Sequence, residues 1–128
     1  MKSKLLVLLL GGALLSGVSA YAHHSFAGTY VEDKVISIEG TLVEFSIRNP
    51  HSFVTVEVTD KDGKKTKWGC EWGGVTQLTE SGVNRYTLKT GDKVKITGAP
   101  GRDPEDHRML LRSLDRPSDG YHWGGTVR

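Results

Sequence analysis

Apolar residues are spaced in two different ways along this chain. Between positions 5 and 15 they form a run broken only by Gly11 and Gly12, Leu-Leu-Val-Leu-Leu-Leu-Gly-Gly-Ala-Leu-Leu. From residue 35 onward they alternate with polar ones, the period of a strand with one buried face. Residues 35–47 (VISIEGTLVEFSI) are β-branched and alternating, which predicts one long strand that can bend at Gly40. Arg48-Asn49-Pro50-His51 breaks both helix and central strand and predicts a turn. Residues 53–59 alternate again, with Val54, Val56 and Val58 on one side. Asp60-Lys61-Asp62-Gly63-Lys64 is a hairpin connection, and residues 65–72 return as a third strand.

Gly73-Gly74 ends that strand, and residues 75–81 predict a short helix stopped near Gly82. Residues 88–92 form a turn into a fourth strand over 93–98, and a polar loop at 100–106 leads into a fifth over 108–114. Residues 115–120 are polar and turn-rich, so the tail 115–128 is expected to be only loosely held. Three strands, a short helix and two strands is the order of an OB-like, five-stranded, partly open barrel, all-β with one short helix. An irregular five- or six-stranded barrel is the alternative; a seven-stranded sandwich needs more strands than this length supplies.

The continuous run has a different meaning. Lys2 and Lys4 precede it, and small residues follow, ending in Val18-Ser19-Ala20 and Ala20-Tyr21-Ala22. That is the layout of a cleaved secretion signal, and the run is too short for a membrane-spanning helix. Residues 1–22 are therefore expected to be removed, leaving a single barrel domain from residue 23 to 114, then the tail. The product is expected in the periplasm or outside the cell, with no stable membrane anchor. Both cuts, after Ala20 and after Ala22, are compatible with the sequence.

Charge and cysteine content narrow the picture. The formal +2 of the whole chain belongs to the two lysines of the discarded segment, so the remainder is near neutral. Nucleic-acid binding draws on a net basic patch, and none is expected here. The one cysteine, Cys70, cannot pair within the chain, and its place in an apolar strand predicts a buried, unreactive thiol.

Three segments then carry a family resemblance: His23-His24-Ser25-Phe26 behind the signal, Asn49-Pro50-His51 after the first strand, and the run 88–98 (LKTGDKVKITG). In this order they resemble a family of small exported bacterial proteins known as domain of unknown function 6152. The likeness spans roughly residues 23–114. It implies a periplasmic, barrel-like domain and names no substrate. Residues 75–81 and Gly82-Val83 depart from the Asn-Ala-Leu-rich helix and Gly-Trp that such proteins usually carry.

The candidate chemistry lies at the cleavage junction. A cut after Ala22 would place His23 at the terminus, where amine and ring nitrogen can bind one metal. A cut after Ala20 would place His23 third from the amine, where Cu(II) or Ni(II) can be wrapped in a plane of four nitrogens. Nitrogen-rich tetragonal sites of this kind favour copper, with zinc as the competitor. His51, presented by a stiff Pro50 turn, is the candidate third ligand, so the metal set is His23, His24 and His51. His107 reads as part of a salt-bridged surface with Asp106 and Arg108, and His122 lies in the tail.

A weaker ligand-binding set is Trp68, Trp72 and Phe53, with Phe45 nearby; residues four apart on a strand share a face, and such faces usually serve the core. No nucleophile elbow, phosphate loop, HExxH or CxxC is present, so the chain reads as a binding or accessory module rather than an enzyme. Two functions lead, ahead of a copper oxidase built on the terminal histidine. One is a copper-binding module serving metal handling or a periplasmic redox partner. The other is a metal-free module that docks a protein or small ligand.

Overall fold

The computed structural model describes residues 26–128. The strands are β1 (Ile36–Ser46), β2 (Phe53–Thr59), β3 (Lys65–Glu71), β4 (Lys93–Pro100), β5 (Arg108–Arg116) and β6 (Tyr121–Gly124), with a short helix, α1 (Val75–Glu80), between β3 and β4. The sheet runs β3-β2-β1-β4-β5-β6, and a parallel pairing of β3 with β5 closes the first five strands into a barrel. This is the OB-like architecture expected from the order of elements. The closing seam is short, spanning Gly69↔Arg108 to Glu71↔Leu110.

β1 is long because it serves two neighbours. Its first half pairs with β4 and its second with β2. Gly40 sits at the changeover, where a Cβ would stand 2.3 Å from the Glu57 carbonyl oxygen. Only glycine allows strands to approach so closely at a barrel corner. A register shift between Leu42 and Glu44 then changes the alternation, so that Leu42 and Phe45 both meet the core. Gly98 makes a second corner, against the Leu110 carbonyl oxygen at 2.1 Å from an added Cβ, beside a register shift in the β4–β5 pair.

The interior is filled by the inward positions of each strand, including Leu42, Val54, Val56, Cys70, Ile96 and Leu114. α1 closes one end through Leu78. It stops as its sequence predicts. Gly82 adopts φ +81°, its N–H donates to Thr79 O at 3.0 Å, and the Val83 N–H donates to Leu78 O at 2.8 Å. This is a Schellman motif, with Val83 and Leu78 both buried.

The tail differs from expectation. Residues 115–116 continue β5, and 121–124 form β6, paired with it from Ser113↔Gly124 to Arg116↔Tyr121. The physical reason is that two apolar side chains of the tail, Trp123 and Val127, are buried. Trp123 stands edge-to-face on Trp72 (5.1 Å between centroids) and donates its Nε1–H to Ser81 Oγ at 3.0 Å. Arg116 fastens the intervening turn by pairing with buried Asp92 at 2.9 Å and with Asp119 at 2.8 Å. No helix among the described residues is long and apolar enough to cross a membrane.

Candidate functional site

The Asn49-Pro50-His51 turn is fastened to the start of α1. Its Asn49–Pro50 peptide is cis. Ser52, fully buried, accepts the Arg48 N–H on its Oγ at 3.1 Å, donates its own N–H to Gly73 O at 3.1 Å, and accepts the Trp72 N–H at 2.8 Å. Asn49 Oδ1 accepts the N–H of Val75, the first helical residue, at 2.9 Å. This gives one orphan donor of the helix start a partner. Gly74 is required by the closeness of this fit, since a Cβ there would lie 2.5 Å from Pro50 O.

The seat so made aims His51 at Glu71, the last residue of β3. Its Nδ1 lies 2.8 Å from Glu71 Oε1. Glu71 follows inward-facing Cys70 and so points out of the barrel, yet it is buried, because the N-terminal segment and Arg108 cover it. The other carboxylate oxygen, Oε2, accepts the hydroxyl of Tyr30, and Arg108 Nη2 lies 3.4 Å from it. Arg108 also donates from Nη2 to the Tyr30 hydroxyl at 3.0 Å. A buried carboxylate must be paired to stay charged, and here three side chains share it. Burial first, and the Glu71 carboxylate second, push the Tyr30 phenol well above its usual range. Tyr30 is therefore a fixed neutral donor.

Phe26 places its ring 4.9 Å from the His51 ring, centroid to centroid, and 6.4 Å from that of Tyr30. The N-terminal segment thus runs beside the turn. His51 keeps 22% of its side-chain exposure, and its Nε2 has no hydrogen bond among the described residues. Metal-ligating histidines almost always have their other ring nitrogen held by a carboxylate, a carbonyl or water, and His51 meets that condition. The described residues alone bring no three His, Cys, Asp or Glu side chains together as a metal cage. His23 and His24 lie outside the described residues.

The other sequence candidates are dispersed. Trp72 is fully buried in the core. Phe53 lies under the Arg48 guanidinium at 5.0 Å. Trp68 packs edge-to-face with His107 at 5.4 Å. His107 thus belongs to an aromatic contact, while its expected partner Arg108 is engaged by Glu71 and Tyr30. His122 pairs with Asp115 at 2.6 Å, with 61% of its side chain exposed. Cys70 is buried, and burial pushes its thiol pKa up to about 12, so it is chemically quiet.

Sequence reasoning missed Glu71, Tyr30 and Arg108. The one signal for them is a lone carboxylate set between Cys70 and Trp72 in an otherwise apolar strand end, which demands partners once buried.

Fold and site together define a small closed β-barrel whose first interstrand turn presents a carboxylate-held histidine beside the N-terminal segment. Residues 13–110 match the model of a family of unknown function, DUF6152, and the chain belongs to that family. No curated protein matches it.

Proposed function

We propose that the chain is an exported binding module that holds copper through His51 together with His23 and His24, serving metal handling or a periplasmic redox partner. The observation that carries this reading is the ring contact between Phe26 and His51. His24 stands two residues before Phe26 in the sequence, and two residues of chain span at most about 7 Å. In this reading the histidine pair reaches the open Nε2 of His51. A cut after Ala22 would add the terminal amine to the same neighbourhood. Three imidazoles and an amine suit Cu(II) better than hard, oxygen-seeking ions, with zinc as the competitor. Glu71 would act as the outer partner that fixes the ring and raises its basicity.

Mass spectrometry of the secreted chain identifies the new terminus. Copper titration against a competing chelator then compares wild type with His51→Ala and His23→Ala. Each variant is expected to bind at least about tenfold more weakly, a loss of ~1.4 kcal/mol. Equally weak binding by all three proteins would remove the metal site and leave the metal-free docking module as the reading.

A further inference from the structure

The closing seam of the barrel opens into a second candidate site. Parallel pairing of β3 with β5 begins at Gly69↔Arg108, so Trp68, one residue earlier, lies where the two strands separate. Trp72, one residue past the end of β3, is fully covered, whereas Trp68 within the strand stays partly exposed. A cleft of about 380 Å³ lies over it, with Ile36 and Pro104 among its apolar walls. That volume is within the range of small-molecule sites, ~300–1,000 Å³.

His107 shapes the cleft. It ends the short 3₁₀ turn Pro104–Asp106 in the left-handed region, with φ 44°, a conformation uncommon for any residue but glycine. Its carbonyl accepts the Gly69 N–H at 3.0 Å, and its ring stands at 76° to the Trp68 indole. The indole is thereby fixed in the mouth of the seam.

The polar lining is cationic. Lys34 and Arg102 both line the cleft, and among the described residues neither has a carboxylate partner. Arg102 uses its Nε–H on the Ala27 carbonyl at 2.8 Å, which steadies the guanidinium and leaves its two terminal nitrogens open. Arg108 also lines the cleft, but Glu71 already balances its charge. The one carboxylate in the lining, Asp103, has its Oδ1 committed to the Glu105 N–H at 3.0 Å. Two open cations against one partly engaged acid suit a single negative charge rather than a polyanion. A guanidinium fork matches a carboxylate in particular.

We propose that this cleft binds a small aromatic carboxylate, its ring against Trp68 and its carboxylate between Lys34 and Arg102. The proposal is independent of the copper reading, because the test uses chain freed of metal by a chelator.

Titration of that chain with 2-naphthoate and with the neutral 2-naphthalenemethanol, followed by calorimetry and by NMR of the indole N–H signals, tests it. Saturable binding of naphthoate is expected, with the Trp68 indole signal moving and the alcohol binding about tenfold more weakly or not at all. Arg102→Gln, on the surface, should weaken naphthoate by about tenfold. Trp68→Ala should abolish binding, and Trp68→Phe, which keeps a ring, should retain it should the alanine variant fail to fold. Equal affinity for acid and alcohol, indifference to Arg102→Gln, or no saturation at about 5 mM naphthoate would overturn the proposal.

Discussion

Two histidines in this molecule each give their Nδ1 to a carboxylate at almost the same distance, 2.8 Å for His51–Glu71 and 2.6 Å for His122–Asp115. Their surroundings separate them. His122 and Asp115 face each other across the edge pair β5–β6, both well exposed. Water screens such a pair, and it contributes little. Glu71 is buried, shared with Tyr30 and Arg108, and roofed by the N-terminal segment. The same contact is a surface pairing in one place and a positioning device in the other. What distinguishes them is burial and the number of groups that depend on the carboxylate, and distance alone would have ranked them the wrong way round.

The comparison can be broken by removing each acid. Glu71→Ala leaves Tyr30 and Arg108 without their shared acceptor and is expected to cost about 2–3 kcal/mol in urea unfolding. Equal losses for Glu71→Ala and Asp115→Ala would dissolve the distinction. Glu71→Gln keeps the shape and is expected to lower copper affinity by about tenfold or more, as loss of an outer-shell partner does. Gly74→Ala tests the seat of His51 from the other side. Its Cβ must displace Pro50 O, and a loss of about 1–2 kcal/mol is expected; no loss in thermal unfolding would mean that the turn is not tightly seated.

A smaller effect belongs to alkaline solution. Tyrosine in the unfolded chain ionises near pH 10, whereas burial and Glu71 keep Tyr30 protonated well above that. Above pH 10 the unfolded state loses a proton that the folded state keeps, so stability present below pH 10 falls as pH rises. Tyr30→Phe should flatten this alkaline limb in pH-dependent melts, and an unchanged limb would show that Tyr30 is not what holds it up. Smallest of all, Asp115→Ala is expected to change stability by less than about 0.5 kcal/mol.

Most of the barrel was legible in the sequence, because a half-buried strand must alternate. Val54, Val56 and Val58 mark β2 on their own, and Gly82 marks the end of α1 through the backbone geometry that glycine alone adopts easily. β6 was not legible, since four residues cannot establish a period and Asp115 to Gly120 read as loop. The tail is held by Trp123 and Val127, and two isolated apolar residues in a polar stretch carry no direction. His51 was legible as a candidate from Pro50 and its place in a turn. Its partners were not. Tyr30, Glu71 and Arg108 come from three distant segments, and only the parallel closure of β3 on β5, with the N-terminal segment laid across it, brings them together.

The central claim is that His51 shares a metal with the histidine pair that the N-terminal segment carries. Pulsed paramagnetic resonance of the processed chain with one equivalent of Cu(II) tests it directly, by counting imidazole nitrogens coupled to the metal. The account predicts that His51→Ala removes one imidazole from the wild-type spectrum while His122→Ala removes none. Identical spectra for wild type and His51→Ala would contradict it.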